Sequence, residues 1–169
     1  MERYVWLFPV IFMFHEMEEI IGFHLWLNGN MGMLKEKYPR IAKEYEHHST
    51  EGFALAVFEE YLLCIAISIL SVVTGWYGLW LGGLAAFTLH LAVHIGQSVV
   101  IRKYIPAVAT SVIVLPLSVA LIWKSAALLQ YPVPQAILYS VVGVAVIGGN
   151  LKLIHIGMKQ FTLKVLERR

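Results

Sequence analysis

Long apolar runs separated by short polar joints make up most of the chain. A helix needs about 20 apolar residues to cross the hydrocarbon of a bilayer, and five runs reach that length: residues 4–27, 53–74, 79–101, 105–128 and 135–161. None of them alternates polar and apolar residues as the strands of a membrane barrel do. The pattern therefore predicts an all-α membrane protein in which residues 1–169 form a single bundle of about five transmembrane helices.

The joint at residues 28–52 is the only long one. Between residues 33 and 48 it mixes Leu34, Tyr38 and Ile41 with many charged residues. That spacing is typical of an amphipathic helix that lies on the membrane surface. We therefore predict a short surface helix over residues 33–48.

The composition agrees with lipid as the solvent. Hydrophobic residues make up 59% of the chain and charged residues only 14%, whereas about 25% of the residues in a soluble domain are charged. The formal net charge of +2 gives no indication of nucleic-acid binding. Because Cys64 is the single cysteine, an internal disulfide and a cysteine-based zinc site are excluded.

The basic residues predict an orientation. Of the 13 Lys and Arg residues, ten fall on one side of the predicted bundle, and Arg3 and Lys124 fall on the other. Positive residues near membrane spans favour the cytoplasm. We therefore predict that the N-terminus is outside and that the long joint and the C-terminus are cytoplasmic, in a bacterial-type inner membrane or its equivalent.

Four of the five predicted helices carry ionisable or amide side chains within the hydrocarbon. Such groups are costly there unless they are paired, bound to a metal or neutral. At a rise of about 1.5 Å per residue, most of them lie roughly 9–18 Å from the cytoplasmic ends of their helices. The residues are His15, Glu16, Glu18, Glu19, Glu59, Glu60, His90, His94, Asn150, Lys152 and His155. The remaining helix, residues 105–128, offers only hydroxyls such as Thr110 and is interpreted as scaffold.

The spacing of these residues indicates a metal site. His90 and His94 are four residues apart, so both imidazoles can reach one ion, and His15, Glu18 and Glu19 fit within roughly a 100° arc. Imidazole and carboxylate together suit iron, zinc or manganese, and the ligands are more numerous than one tetrahedral zinc needs. We predict a divalent transition metal, as two ions of iron or zinc, on His15, Glu18, Glu19, Glu60, His90, His94 and His155.

Two further glutamates are predicted to carry protons in catalysis, namely Glu16 and Glu59. Glu60 shares a stripe of small residues and is expected to face the bundle interior, with Glu59 at its edge, although the choice between them stays open. For His47 and His48 we expect a solvated face, with a lid that contacts substrate as the alternative.

Residues 15–19 read His-Glu-Met-Glu-Glu, an H-x-x-E-E motif. With the acidic pair at Glu59 and Glu60 and the H-x-x-x-H at His90 and His94, the chain resembles the HXXEE-domain family over nearly its whole length. The resemblance implies a small polytopic membrane protein and a role for the histidine and the two glutamates of the motif. Members of that family are uncharacterised and are suspected enzymes.

These observations favour an intramembrane metalloenzyme that hydrolyses or oxidises a lipid or another lipophilic substrate. Its expected partners are membrane lipid and that substrate, with no nucleic acid and with homo-oligomerisation left open. The alternative is a transporter of metal ions or protons through the same His and Glu cluster. Against transport, the chain has no inverted repeat and the outer halves of its predicted helices lack polar residues. A purely structural role would not require so many buried ionisable groups.

Overall fold

The computed structural model describes residues 1–46 and 48–166, and every regular element within those ranges is an α-helix. The predicted all-helical architecture is therefore confirmed. In chain order the helices are α1 (Glu2–Val5), α2 (Leu7–Lys37), α3 (Pro39–Glu44), α4 (Thr50–Thr74), α5 (Gly78–Ile101), α6 (Val108–Leu128) and α7 (Val133–Leu166).

Four of these helices are long and apolar enough to cross a membrane, namely α4, α5, α6 and the part of α7 up to Lys164. They coincide closely with the last four predicted spans. The architecture is therefore compatible with an integral membrane protein, as the apolar runs indicate.

The first predicted span falls on α2, which is not among those four helices, and its bounds also differ from those of α2. A break at Trp6 separates α1 from α2, and α2 continues beyond residue 27 to Lys37. It ends there because Tyr38 precedes Pro39, a position that disfavours helical backbone and that has φ −137° and ψ 59° here. The surface helix predicted for residues 33–48 is consequently divided between the end of α2 and the short helix α3.

Around the H-x-x-E-E motif, the polar residues of α2 face inward and several apolar residues face outward. Phe14, Met17 and Ile21 are 53%, 43% and 66% exposed, whereas His15 is 0% and Glu16 is 3% exposed. This arrangement is the reverse of a soluble surface helix, whose apolar stripe faces the core. Contacts of these polar side chains with the other helices account for their burial.

An aromatic layer fixes the start of α2 against α5. The indole Nε1 of Trp80 donates to the backbone oxygen of Val5 over 2.9 Å. This bond satisfies a carbonyl whose helical donor is missing, because the residue four positions on is Pro9, which has no amide N–H. Phe8 packs edge-on against Trp80, with ring centroids 6.3 Å apart, and Phe87 lies 5.6 Å from Phe12 one turn further on. These rings close the end of the bundle that contains α1.

Helix α7 is held at two levels and leaves space between them. Near its start it crosses α5 backbone to backbone, because a Cβ on Gly143 would lie 2.2 Å from the carbonyl of Gly82. Near its end the Thr162 hydroxyl lies 2.7 Å from the Ser49 hydroxyl, and Ser49 caps α4 by accepting from the Gly52 amide. The middle of α7 lines cavities that are described below.

The glycine crossing gives the first prediction. Gly143→Val should lower the melting temperature in detergent by several degrees, because overpacking costs about 1–3 kcal/mol and about 1 kcal/mol shifts a chain of this size by roughly 2–4 °C. Gly149→Val is the matched control, since a Cβ at Gly149 meets nothing within 4 Å. Equal melting temperatures for the two variants would contradict the crossing.

Candidate metal centre

Three histidines from two helices converge inside the bundle. His15 on α2 and His90 and His94 on α5 each offer one ring nitrogen, and these atoms all lie within 4.8 Å of one another. The Nε2 atoms of His90 and His94 are 2.8 Å apart. Since zinc–imidazole bonds measure about 2.0–2.1 Å, small ring movements that separate the Nε2 atoms of His90 and His94 slightly and bring His15 closer would place all three nitrogens around one ion. Among the described residues, this histidine trio is the one group of His, Cys and acidic side chains that converges in this way.

The tautomer of His15 is fixed by its neighbours. His15 Nδ1 lies 3.0 Å from Thr110 Oγ1, and the Thr110 hydroxyl donates to Glu18 Oε2 at 2.5 Å. A hydroxyl has one proton to donate, so its contact with His15 uses an oxygen lone pair and His15 carries its proton on Nδ1. The buried Nε2 atom of His15 has no hydrogen-bond partner, and its lone pair is therefore available to a metal.

Glu18 lies behind His15 rather than beside the other two histidines. Its carboxylate accepts from the Thr110 amide at 2.7 Å and from the Tyr104 hydroxyl at 2.5 Å. These contacts satisfy amide donors in the first turn of α6, where a negative charge is favourable. The hydrogen bond to the carboxylate, with burial as a smaller cause, raises the pKa of Tyr104 to about 12. The predicted ligand Glu18 therefore occupies the position of a carboxylate that orients a ligating histidine.

Glu16 and Glu19 contact the two histidines of α5 from opposite sides. Glu16 Oε1 lies 3.6 Å from His90 Nε2, and Glu19 Oε1 lies 3.3 Å from His94 Nδ1. The Nε2 atoms of both histidines face each other, so Glu16 is close to the nitrogens that converge and Glu19 is close to a nitrogen on the far side. Both glutamates are buried.

The two glutamates of α4 lie on different parts of the site. Glu59 accepts a hydrogen bond of 3.1 Å from Asn150 Nδ2 on α7. Glu60 lines the same cavities as His90. The structure thus places Glu60 with the histidines and Glu59 at the α4–α7 contact.

His155 lies on the wall of the same cavity as the trio but does not converge with it. Its Nδ1 atom lies 2.7 Å from the backbone oxygen of Leu151, which fixes the ring and leaves Nε2 as its other ligand atom. His155 could therefore serve an ion only at a position separate from the trio.

His48 lies against the bundle and lines this cavity. Its ring stacks on His24 at a centroid distance of 5.8 Å and packs edge-on against Phe23 at 5.3 Å. Burial, with smaller contributions from His24 and His155, lowers the pKa of His48 to about 4, so the ring is neutral near pH 7. His48 therefore lines the cavity, and its role as a lid stays a prediction, whereas His47 falls outside the described residues.

Two adjoining cavities meet at His90, one member of the trio. The polar cavity, of about 200 Å³, includes Glu16, Glu19, His94 and Gln97 in its wall. The apolar cavity, of about 230 Å³, extends from the trio towards the aromatic layer of the core. Both are lined by the same four residues at their boundary: Glu60, His90, Val93 and Leu151.

Thr110 is the residue that sequence reasoning missed. The helix that contains it was interpreted as scaffold because it carries only hydroxyls. The sequence indicates Thr110 only indirectly. A histidine that binds a metal usually needs a hydrogen-bond partner for its second ring nitrogen, and a hydroxyl at the start of a helix can supply one. The sequence does not state which hydroxyl lies beside His15.

The comparisons with known proteins agree with the motif. No curated protein and no solved structure matches the chain. A family model described as "Protein of unknown function with HXXEE motif" matches residues 6–121. That range contains the histidine trio, Thr110 and all five glutamates of the site, and it ends before α7. The chain belongs to the HXXEE family, whose function is unknown.

Proposed function

We propose that the protein is an intramembrane metal-dependent enzyme that acts on a lipid or another lipophilic substrate. The observation that carries the proposal is the convergence of ring nitrogens from three histidines within 4.8 Å, together with a buried His15 Nε2 that has no hydrogen-bond partner. An unpaired buried polar atom is costly and calls for an explanation. A bound cation supplies one, because it would accept the lone pair and offset the charge of the nearby carboxylates.

The proposed ligands of the first ion are His15, His90, His94 and Glu16. Glu16 is included because its carboxylate lies 3.6 Å from the converging nitrogen of His90. Glu19 and Glu18 then have supporting roles, the former facing His94 Nδ1 and the latter acting on His15 through Thr110. This set of three imidazoles and one carboxylate suits iron, zinc or manganese.

We propose a second ion on the opposite wall of the polar cavity. Glu60 and His155 line that cavity together with Glu16 and Glu19, so carboxylates from α2 could bridge two ions as in other bundle-core sites. With two ions the site could activate water for hydrolysis or, with iron, activate oxygen. Glu16 and Glu59 remain the candidates for proton transfer, and Glu16 lies nearer to the trio because Glu59 is bound to Asn150.

The proposal includes α2 as a fifth membrane span with the N-terminus outside. Three glutamates lower the hydropathy of α2, but Glu16 and Glu19 are buried and Glu18 is bound by α6. Lipid would meet only its apolar face. The basic residues of the α2–α3 segment would then lie at the cytoplasmic surface, in a bacterial-type membrane or its equivalent.

Transport is the weaker alternative on one specific observation. The aromatic layer of Phe8, Phe12, Trp80 and Phe87 is buried between the trio and α1. An ion that crossed the bundle would have to pass through this apolar layer. A site that is reachable from one side suits an enzyme better than a transporter.

Metal content tests the proposal directly. We expect protein purified in detergent, without a His-tag or added metal, to contain about one ion per chain if only the trio is filled and about two if the second position is also filled. His90→Ala combined with His94→Ala should remove at least the first ion, as measured by elemental mass spectrometry. His24→Ala, which removes a histidine outside the trio, is the control and should retain the wild-type content.

Wild-type protein that contains no metal, even after incubation with iron, zinc and manganese, would refute the proposed metal site. Unchanged metal in the double variant would refute His90 and His94 as ligands.

Thr110 offers a test of the orienting chain. Thr110→Val keeps the shape of the side chain but removes the acceptor for His15 Nδ1–H, and we expect it to weaken metal binding about 10–100-fold, the usual cost of losing such a partner. Thr110→Ser retains the hydroxyl and should bind metal nearly as tightly as wild type. Competition with a chelator measures both affinities, and equal affinities for the valine and serine variants would contradict the assignment.

A further inference from the structure

We propose that the apolar cavity binds one hydrocarbon chain of a membrane amphiphile, which enters from the bilayer between α5 and α7 and places its polar end beside Glu60 and His90. The inference that a hydrocarbon chain binds here rests on the cavity alone. The further inference that the polar end of this amphiphile is the end that reacts rests on the proposed function.

The wall of the cavity is apolar except at one end. Phe8, Phe12 and Gly83 line the end near the aromatic layer, whereas Glu60 and His90 line the other. The span from Gly83 to His90 along α5 is about 10 Å, less than the roughly 15 Å of hydrocarbon in one leaflet. These dimensions suit a single chain that lies with its polar end towards the histidine trio.

The cavity is bordered by residues that face lipid. Leu89 and Val93 on α5 line it and are 50% and 47% exposed, and exposed Gly148 lines it from α7. The Gly82–Gly143 crossing closes the α5–α7 contact on the side towards the aromatic layer. A side opening in this position faces the hydrocarbon of the bilayer, so the available occupant is a lipid chain.

The polar boundary between the two cavities indicates that the molecule in the apolar cavity is an amphiphile. The polar cavity begins where the apolar one ends and is bordered by His48 and Gln97. A purely apolar molecule would offer no polar group to the carboxylate of Glu60 at this boundary, and an unpaired polar group is costly in an apolar environment. A molecule with a polar group at the end of its chain satisfies both environments.

Gly148 allows the entrance to be blocked without disturbing the helix packing. A Cβ at Gly148 would meet no atom within 4 Å, so the larger side chain of Gly148→Leu would project into free space at the cavity. Gly149→Leu is the matched control, because Gly149 has the same freedom but does not line the cavity. Both variants replace glycine by leucine within α7, so the change in helix propensity is the same.

The test uses two fatty acids that carry a photoreactive diazirine, one near the methyl end and one near the carboxyl end. Each is added to purified protein in phosphatidylcholine vesicles, and labelled residues are identified by mass spectrometry. We expect the methyl-end probe to label buried residues such as Cys64 and Phe87 and the carboxyl-end probe to label Leu151. Gly148→Leu should reduce this labelling about tenfold, whereas Gly149→Leu should not change it.

Labelling confined to lipid-facing residues such as Trp123, equal in all three proteins, would overturn the proposal and indicate surrounding lipid only. Labelling of Cys64 and Phe87 that persists in Gly148→Leu would overturn the entrance between α5 and α7. Metal content is measured on the same samples. Labelling of the wild type without bound metal would support the hydrocarbon-chain site and refute the proposed metal-dependent enzyme. Bound metal without labelling would support the metal site and refute the hydrocarbon-chain site.

Discussion

The burial of ionisable side chains on one face of α2 is the constraint on which the rest of the bundle depends, because such groups are costly to bury unless they are paired. Unpaired ionisable groups in hydrocarbon are costly, yet α2 carries one histidine and three glutamates within five residues. Helices α4, α5 and α6 each meet a different part of this face: α5 supplies His90 and His94, α6 supplies Thr110 and amide donors, and α4 closes the side next to Glu60. The outward residues of α2 are correspondingly apolar.

Covering this face divides the carboxylates into two kinds. Glu18 accepts hydrogen bonds from α6, so it is saturated and cannot also bind a metal without losing them. Glu16 and Glu19 contact only imidazoles among the hydrogen bonds and ion pairs found for them. His94 can donate from Nδ1 to Glu19 and still offer Nε2 to a metal. Glu16 lies beside His90 Nε2 itself, where it could bind the same ion. The geometry therefore separates residues that orient from residues that can still bind.

The apolar runs were sufficient to predict the helical architecture and α4–α7, because the length of a membrane span is set by bilayer thickness. Which glutamates of α2 lie beside the histidines was harder to predict from the sequence. On a helical projection, Glu18, His15 and Glu19 fall within about 100°, and so do His15, Glu19 and Glu16. Periodicity cannot choose between these arcs. The choice is made by α6, whose first amides approach Glu18, and that contact depends on tertiary packing.

Helix α7 separates the two sites that the bundle forms. The trio and its orienting partners come from α2, α5 and α6, all within residues 6–121 that match the family model. The apolar cavity, in contrast, has α7 as one wall and is closed by the Gly82–Gly143 crossing. The two sites share His90, whereas α7 contributes to the apolar cavity and to the proposed second-ion position at His155. Changes on the part of α7 that lines the apolar cavity should therefore alter what fills it without altering the proposed ligands of the first ion.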